Sequence, residues 1–153
     1  MTHTDLKFMA KAKYAAELSD FGKVHVGCVA VYRNRVISVG YNSQKTHPVQ
    51  KYYNQFRNNG DNDLFMPRLH AEIACLNNIR HLSHIDFSRI KLYIYRKRVD
   101  RPYSMARPCP SCMKYIQDFG IRNIFYTSDS GYIHEKIYNT PTKRGNFYQR
   151  VWN

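Results

Sequence analysis

The sequence predicts an α/β fold in which helices pack on a mixed sheet of five strands. Three observations predict it. The run Val24-His25-Val26-Gly27-Cys28-Val29-Ala30-Val31 is almost continuously apolar and rich in β-branched residues, as in a central strand covered on both faces. Two stretches of helical periodicity, His70 to Ile79 and Cys109 to Phe119, are each followed by a short β-rich run, Ile90 to Tyr95 and Ile121 to Thr127. Finally, Tyr132 to Ile137 alternates polar and apolar residues behind the turn sequence Ser128-Asp129-Ser130-Gly131.

In chain order, residues 5–18 read as a helix, because Leu6, Met9, Ala10, Lys13, Tyr14 and Leu18 recur three and four apart with Asp5 near the start. The Val24–Val31 strand turns at Arg33-Asn34-Arg35 and returns as Val36 to Tyr41, which makes a hairpin. Residues 43–68 form a basic-aromatic insertion directly before the next helix. Its stretch 48–57 also reads as an amphipathic helix packing Tyr53 and Phe56 inward, and 58–63 is a loop. In the helix from His70, Ile73, Leu76 and Ile79 form the core stripe, and His81 and His84 read as solvated loop histidines. The helix from Cys109 ends at Gly120, a C-cap residue. Residues 132–138 read either as the outer strand of an antiparallel hairpin or as a short helix. The tail at about 139–153 is basic with interleaved aromatics, placed either to follow a ligand or to dock Phe147 and Trp152.

The 153 residues are enough for one domain with a buried core, and we read 1–153 as a single domain. No apolar run is long enough to span a membrane, and no leader pattern precedes a cleavage site. A cytoplasmic protein with no membrane partner is expected. Of the four cysteines, Cys28 and Cys75 lie in apolar patterns that suit buried thiols, which fits a reducing compartment. The net charge of +13 favours anionic partners such as phosphates or nucleic acid.

The chemistry concentrates in Leu69-His70-Ala71-Glu72-Ile73 and Arg107-Pro108-Cys109-Pro110-Ser111-Cys112. Zinc takes imidazole and thiolate ligands in tetrahedral geometry. Cys109 and Cys112, three apart at a helix start, present both thiols on one side, and His70 supplies a third ligand. Three protein ligands leave the fourth place to water, as in a catalytic site. A structural site would close with a fourth residue, for which Cys75, His25, His81 and His84 are the candidates. Glu72 stands where a carboxylate can exchange protons with that water.

Together these segments read H-x-E…P-C-x-x-C, the signature of zinc-dependent nucleobase deaminases. The chain thus resembles the cytidine and deoxycytidylate deaminase superfamily, specifically at 70–72 and 108–112 and more loosely from Val24 to Tyr126. The resemblance implies a three-layer α-β-α cytidine-deaminase-like fold around the mixed five-stranded sheet. It also implies one catalytic Zn2+ on His70, Cys109 and Cys112, with Glu72 as the catalytic acid and base. By the same resemblance Asn42 contacts the sugar or base, the Ala71 N–H meets the base carbonyl, and the Arg107 carbonyl accepts from the exocyclic amine. Asn42 also reads as a turn residue capping its strand. Gln44 departs from the Glu found in members that bind free nucleosides. Arg107 departs from a small residue, and its side chain is expected on a phosphate or in water. Tyr41, Phe65 and Tyr103 are the candidates to stack on the ring.

The expected reaction is hydrolytic deamination of cytosine to uracil in a small-molecule nucleotide or nucleoside such as dCMP. The alternative substrate is cytosine or adenine in single-stranded DNA or RNA. Relatives with the C-terminal hairpin also make a homo-oligomer an expected partner. A silent binding module on the same fold would not require Glu72.

Overall fold

The computed structural model describes residues 1–57, 67–101 and 104–137. The tail 139–153, the loop 58–63 and the aromatics Phe65 and Tyr103 lie outside the described residues.

Helix α1, His3–Ala16, starts two residues earlier than expected because Thr2 caps it. The Thr2 hydroxyl accepts from the Asp5 N–H at 3.1 Å, and the Asp5 carboxylate accepts from the Thr2 N–H at 3.0 Å. The buried face shares only Met9 with the recurrence read from the sequence. Phe8, Met9, Ala12, Ala15 and Ala16 are buried, whereas Leu6, Tyr14 and Leu18 are exposed. Gly27 of the underlying strand explains the choice. A methyl group there would lie 2.1 Å from the Ala12 carbonyl oxygen and 2.4 Å from the Ala16 nitrogen. The helix backbone therefore lies directly on the strand, and only its alanine face fits so close.

Strands β1, Val24–Tyr32, and β2, Arg35–Tyr41, form the expected hairpin. Its two-residue turn holds Arg33 at φ 52° and Asn34 at φ 62°, the left-handed pair that suits a tight hairpin. After β2 comes α2, Pro48–Tyr53, extended by a 3₁₀ turn at Asn54–Phe56. Tyr53 is fully buried and its hydroxyl donates to Asp118 at 2.9 Å, while Phe56 stays partly exposed. Then follow α3, Ala71–Asn77; β3, Lys91–Arg98; and α4, Pro110–Phe119. Gly120 ends α4 at φ 88°, in the left-handed conformation expected of it. The last elements are β4, Asn123–Ser128, and β5, Gly131–Lys136.

The sheet order is β2-β1-β3-β4-β5. Strands β3 and β4 are parallel and every other neighbouring pair is antiparallel, so the sheet is mixed. Of the two readings of 132–138, the hairpin strand holds. Helix α1 covers one face, packing Phe8, Met9 and Ala12 on Val29, Tyr93 and Phe125. The opposite face carries α2, α3 and α4, which bury Tyr53, Ile73, Leu76, Tyr115 and Phe119 against Cys28, Leu92 and Ile94. This is the three-layer α-β-α architecture. It brings the N-termini of α3 and α4 together.

Candidate active site

Short range forces place the first ligand. The segment after β2 pairs with the segment before α3: Ser43 N–H donates to the Leu69 carbonyl at 3.1 Å, and Leu69 N–H donates to the Lys45 carbonyl at 2.8 Å. Buried Gln50 of α2 then accepts the His70 N–H at 2.9 Å. His70 is the N-cap of α3 in extended conformation, which frees its ring to point away from the helix. Cys109 holds the same position on α4, with Pro110 starting the helix.

His70 Nδ1 lies 3.3 Å from Cys112 Sγ and 3.5 Å from Cys109 Sγ. Zinc–nitrogen and zinc–sulfur bonds of about 2.0 and 2.3 Å at a tetrahedral angle imply an N···S edge of about 3.5 Å. The two observed N···S edges match that value, and all three ligand atoms lie within 4.8 Å of one another, so the set fits a tetrahedral zinc ion. The electrostatics agree. Hydrogen bonding from Cys112 pushes the Cys109 thiol down to about 3 against the effect of burial, and His70 adds to this. Cys112 is held up, by burial and by its neighbours. A bound dication removes that conflict, because a coordinating thiol is deprotonated outright. Among the described residues these three alone group as metal ligands, so none of Cys75, His25, His81 and His84 closes the site.

Glu72, in the first turn of α3, is 6% exposed. Burial and then the Cys109 charge push its carboxyl up to about 7. His70, Ala71, Glu72 and Cys109 all line a cavity of about 990 Å³. Lys23, Arg57, Arg68, Arg96 and Arg107 line it too, and Glu72 is the one carboxylate among the lining residues.

The family model for the cytidine and deoxycytidylate deaminase zinc-binding region matches residues 2–128. The chain belongs to this family. It is thus a zinc-dependent deaminase, and His70, Cys109 and Cys112 are its possible metal site. Among solved structures, the dCMP deaminase of cyanophage S-TIM5 in its apo form is 22% identical, with a TM-score of 0.58 over 84% of this chain and 86% of that one. The same phage enzyme in complex with dCMP and dUMP is 18% identical, with a TM-score of 0.58 over 84% of each chain. Cytidine deaminase from Burkholderia pseudomallei is 15% identical, with a TM-score of 0.59 over 89% and 93%. These likenesses concern the fold. No individually curated protein sequence matches the chain.

The deaminase chain brings the other expected residues to the cavity in different ways. Asn42 lines it, yet its side-chain amide also serves the sheet. Its Oδ1 accepts the Val26 N–H at 2.9 Å and its Nδ2 donates to the Val24 carbonyl at 3.1 Å. Arg107 lines the cavity as well, and its side chain makes a bidentate pair with Glu135. Tyr41 is not among the lining residues. Among the described residues the phenyl ring that lines the cavity is Phe21, which sits under the Arg68 guanidinium at 5.8 Å. Arg57 and Arg68 belong to the basic-aromatic insertion at 43–68, and Arg96 comes from β3. Sequence reading singled out neither Gln50, on α2, nor Lys23 and Phe21, which precede β1 and carry no periodicity. For the cations the legible signal was the excess of Lys and Arg. No helix among the described residues is long and apolar enough to cross a membrane.

Proposed function

We propose that this protein deaminates the cytosine of a free nucleotide, with dCMP as the substrate that fits best. The observation that carries this reading is the charge of the cavity, whose lining holds Lys23, Arg57, Arg68 and Arg96, together with Arg107 in its pair with Glu135, against one buried carboxylate, Glu72. A nucleoside offers such a wall no anion, whereas a 5′-monophosphate does. Arg96 lines the cavity with its guanidinium steadied by the Met105 carbonyl, to which Nη1 donates at 3.0 Å.

In the proposed reaction His70, Cys109 and Cys112 hold the zinc. When bound, the ion acts as a Lewis acid that brings the ionisation of water into the neutral range. Glu72 takes a proton from the attacking water, whose oxygen adds to C4 of the ring. Glu72 passes that proton to N3, then takes the second proton of the former water from the C4 hydroxyl and delivers it to the departing amine. The C4–N4 bond breaks, ammonia leaves and uracil remains. The Ala71 N–H at the first turn of α3 meets the base carbonyl, the Arg107 carbonyl accepts from the exocyclic amine, and Asn42 contacts the sugar. Among the described residues Phe21 is placed to stack on the ring, in preference to Tyr41.

Loss of cytosine absorbance tests this reading, with zinc-loaded protein offered dCMP, deoxycytidine and a cytosine-containing single-stranded oligonucleotide. Preferred turnover of dCMP supports it. Turnover of the oligonucleotide alone would transfer the cationic wall to a polynucleotide backbone and reject the nucleotide reading.

A further inference from the structure

The segment Ser104–Pro108 forms the cavity wall that leads into Cys109, and three strands hold it. From β3, the Arg96 carbonyl accepts the Ser104 N–H at 2.9 Å and Arg96 Nη1 donates to the Met105 carbonyl at 3.0 Å. From β4, the Thr127 hydroxyl donates to the Ser104 carbonyl at 2.6 Å, and the Thr127 carbonyl accepts the Ala106 N–H at 2.8 Å. From β5 comes a side chain. Glu135 accepts from Arg107 Nε and Nη2, each at 2.9 Å, and its Oε1 also accepts the Tyr126 hydroxyl at 2.9 Å.

The last anchor differs from the others. It grips the residue adjoining Pro108-Cys109, and it does so from the hairpin strand that closes the sheet. The Arg107 side chain is half exposed and Glu135 is 28% exposed. A pair this open adds little to global stability. Its geometry is nonetheless specific, because a planar fork on a carboxylate fixes the plane and direction of the arginine. The tyrosine hydroxyl in turn fixes the carboxylate. A bond that contributes little to folding yet orients a cavity wall is suited to positioning.

We propose that Glu135 is a positioning residue of this deaminase, which through its bidentate pair with Arg107 sets the place of the cavity wall beside Cys109. The inference rests on the deaminase reading above for its kinetic consequence, though not for its structural one. A wall displaced by about 1 Å costs up to the order of 10²-fold in rate. Because the wall carbonyl meets an amine that is leaving, the loss falls on kcat more than on KM.

The test compares wild type, Glu135→Ala, Glu135→Gln, Arg107→Ala and the double variant Arg107→Ala/Glu135→Ala, all zinc-loaded. Metal content, thermal midpoint, dCMP kinetics and amide exchange at Ala106 are measured on each. We expect Glu135→Ala to keep its zinc and its midpoint while kcat falls at least tenfold and Ala106 exchanges at least tenfold faster. The double variant should be no worse than Arg107→Ala, since both act through one bond. Glu135→Gln, which preserves the shape, should fall between. Unchanged kcat and unchanged Ala106 exchange in Glu135→Gln and Glu135→Ala would overturn the proposal, as would fully additive losses in the double variant. If wild type itself does not turn over dCMP, the substrate reading fails, and Ala106 exchange still decides the positioning role.

Discussion

The substitution Gly40→Ala probes how the sheet sets the active site. Gly40 lies in β2 directly beneath α3, the helix that carries Ala71 and Glu72 and is capped by His70. An added methyl would stand 2.4 Å from the Cys75 nitrogen, 2.5 Å from the Ala71 carbonyl oxygen and 2.8 Å from the Cys75 Cα. All three are backbone atoms, so no side chain can rotate away. To reach ordinary contact the helix must rise from the sheet by about 1 Å, and such overpacking costs about 1–3 kcal/mol. For a chain of this size, that lowers the thermal midpoint by about 2–12 °C. Gly27→Ala is the matched control. Its methyl would meet α1 just as closely, at 2.1 and 2.4 Å, but on the opposite face of the sheet. The assay measures thermal midpoint, zinc retention against a chelator and dCMP turnover for both variants. Both should lose stability, and Gly40→Ala alone should also release zinc faster and lose at least tenfold in turnover. Equal zinc loss in the two variants, or an undisturbed Gly40→Ala, would refute the claim that β2 seats the catalytic helix.

Three further outcomes follow from particular bonds. Tyr53→Phe removes the donor to buried Asp118, leaving that carboxylate to Lys114 at 3.2 Å, and should cost about 1.5–3 kcal/mol in urea unfolding. Burial raises the Asp5 carboxyl, but hydrogen bonds from Tyr93 at 2.6 Å and from Thr2 outweigh it and hold its pKa below the ordinary value. Its stabilising effect is therefore complete above the unfolded value and lost as pH falls through the folded one. Acid unfolding should thus be steeper below about pH 4 in wild type than in Asp5→Asn. Arg68→Ala should lower the preference for dCMP over deoxycytidine at least fivefold, since one charge-assisted bond to phosphate is worth about 1.5–3 kcal/mol. An unaltered preference would remove Arg68 from phosphate recognition.

The fold was legible where sequence-local physics decides it. The nearly continuous apolar run of β1, the turn at Arg33-Asn34, the Gly120 cap and the alternation of β5 each carry their own signal. The zinc set was legible because metal geometry constrains both residue type and spacing. What the sequence hid is set by close approach between distant segments. Tyr14 and Leu18 share a helical stripe with Met9, but the contact at Gly27 selects the alanine face instead. Arg107 reads as a free cation until β5 folds back and sets Glu135 against it. Phe21 and Arg68 are far apart in sequence, and only the pairing around Leu69 brings them to one cavity.

The measurement that bears most directly on this account is ammonia release from dCMP by zinc-loaded wild type and Glu72→Ala, with metal content determined on the same samples. The account predicts that the variant keeps its zinc on His70, Cys109 and Cys112 and loses turnover entirely. Turnover by a metallated Glu72→Ala protein would contradict it, because the proton transfers at N3 and at the departing amine would then belong to another group.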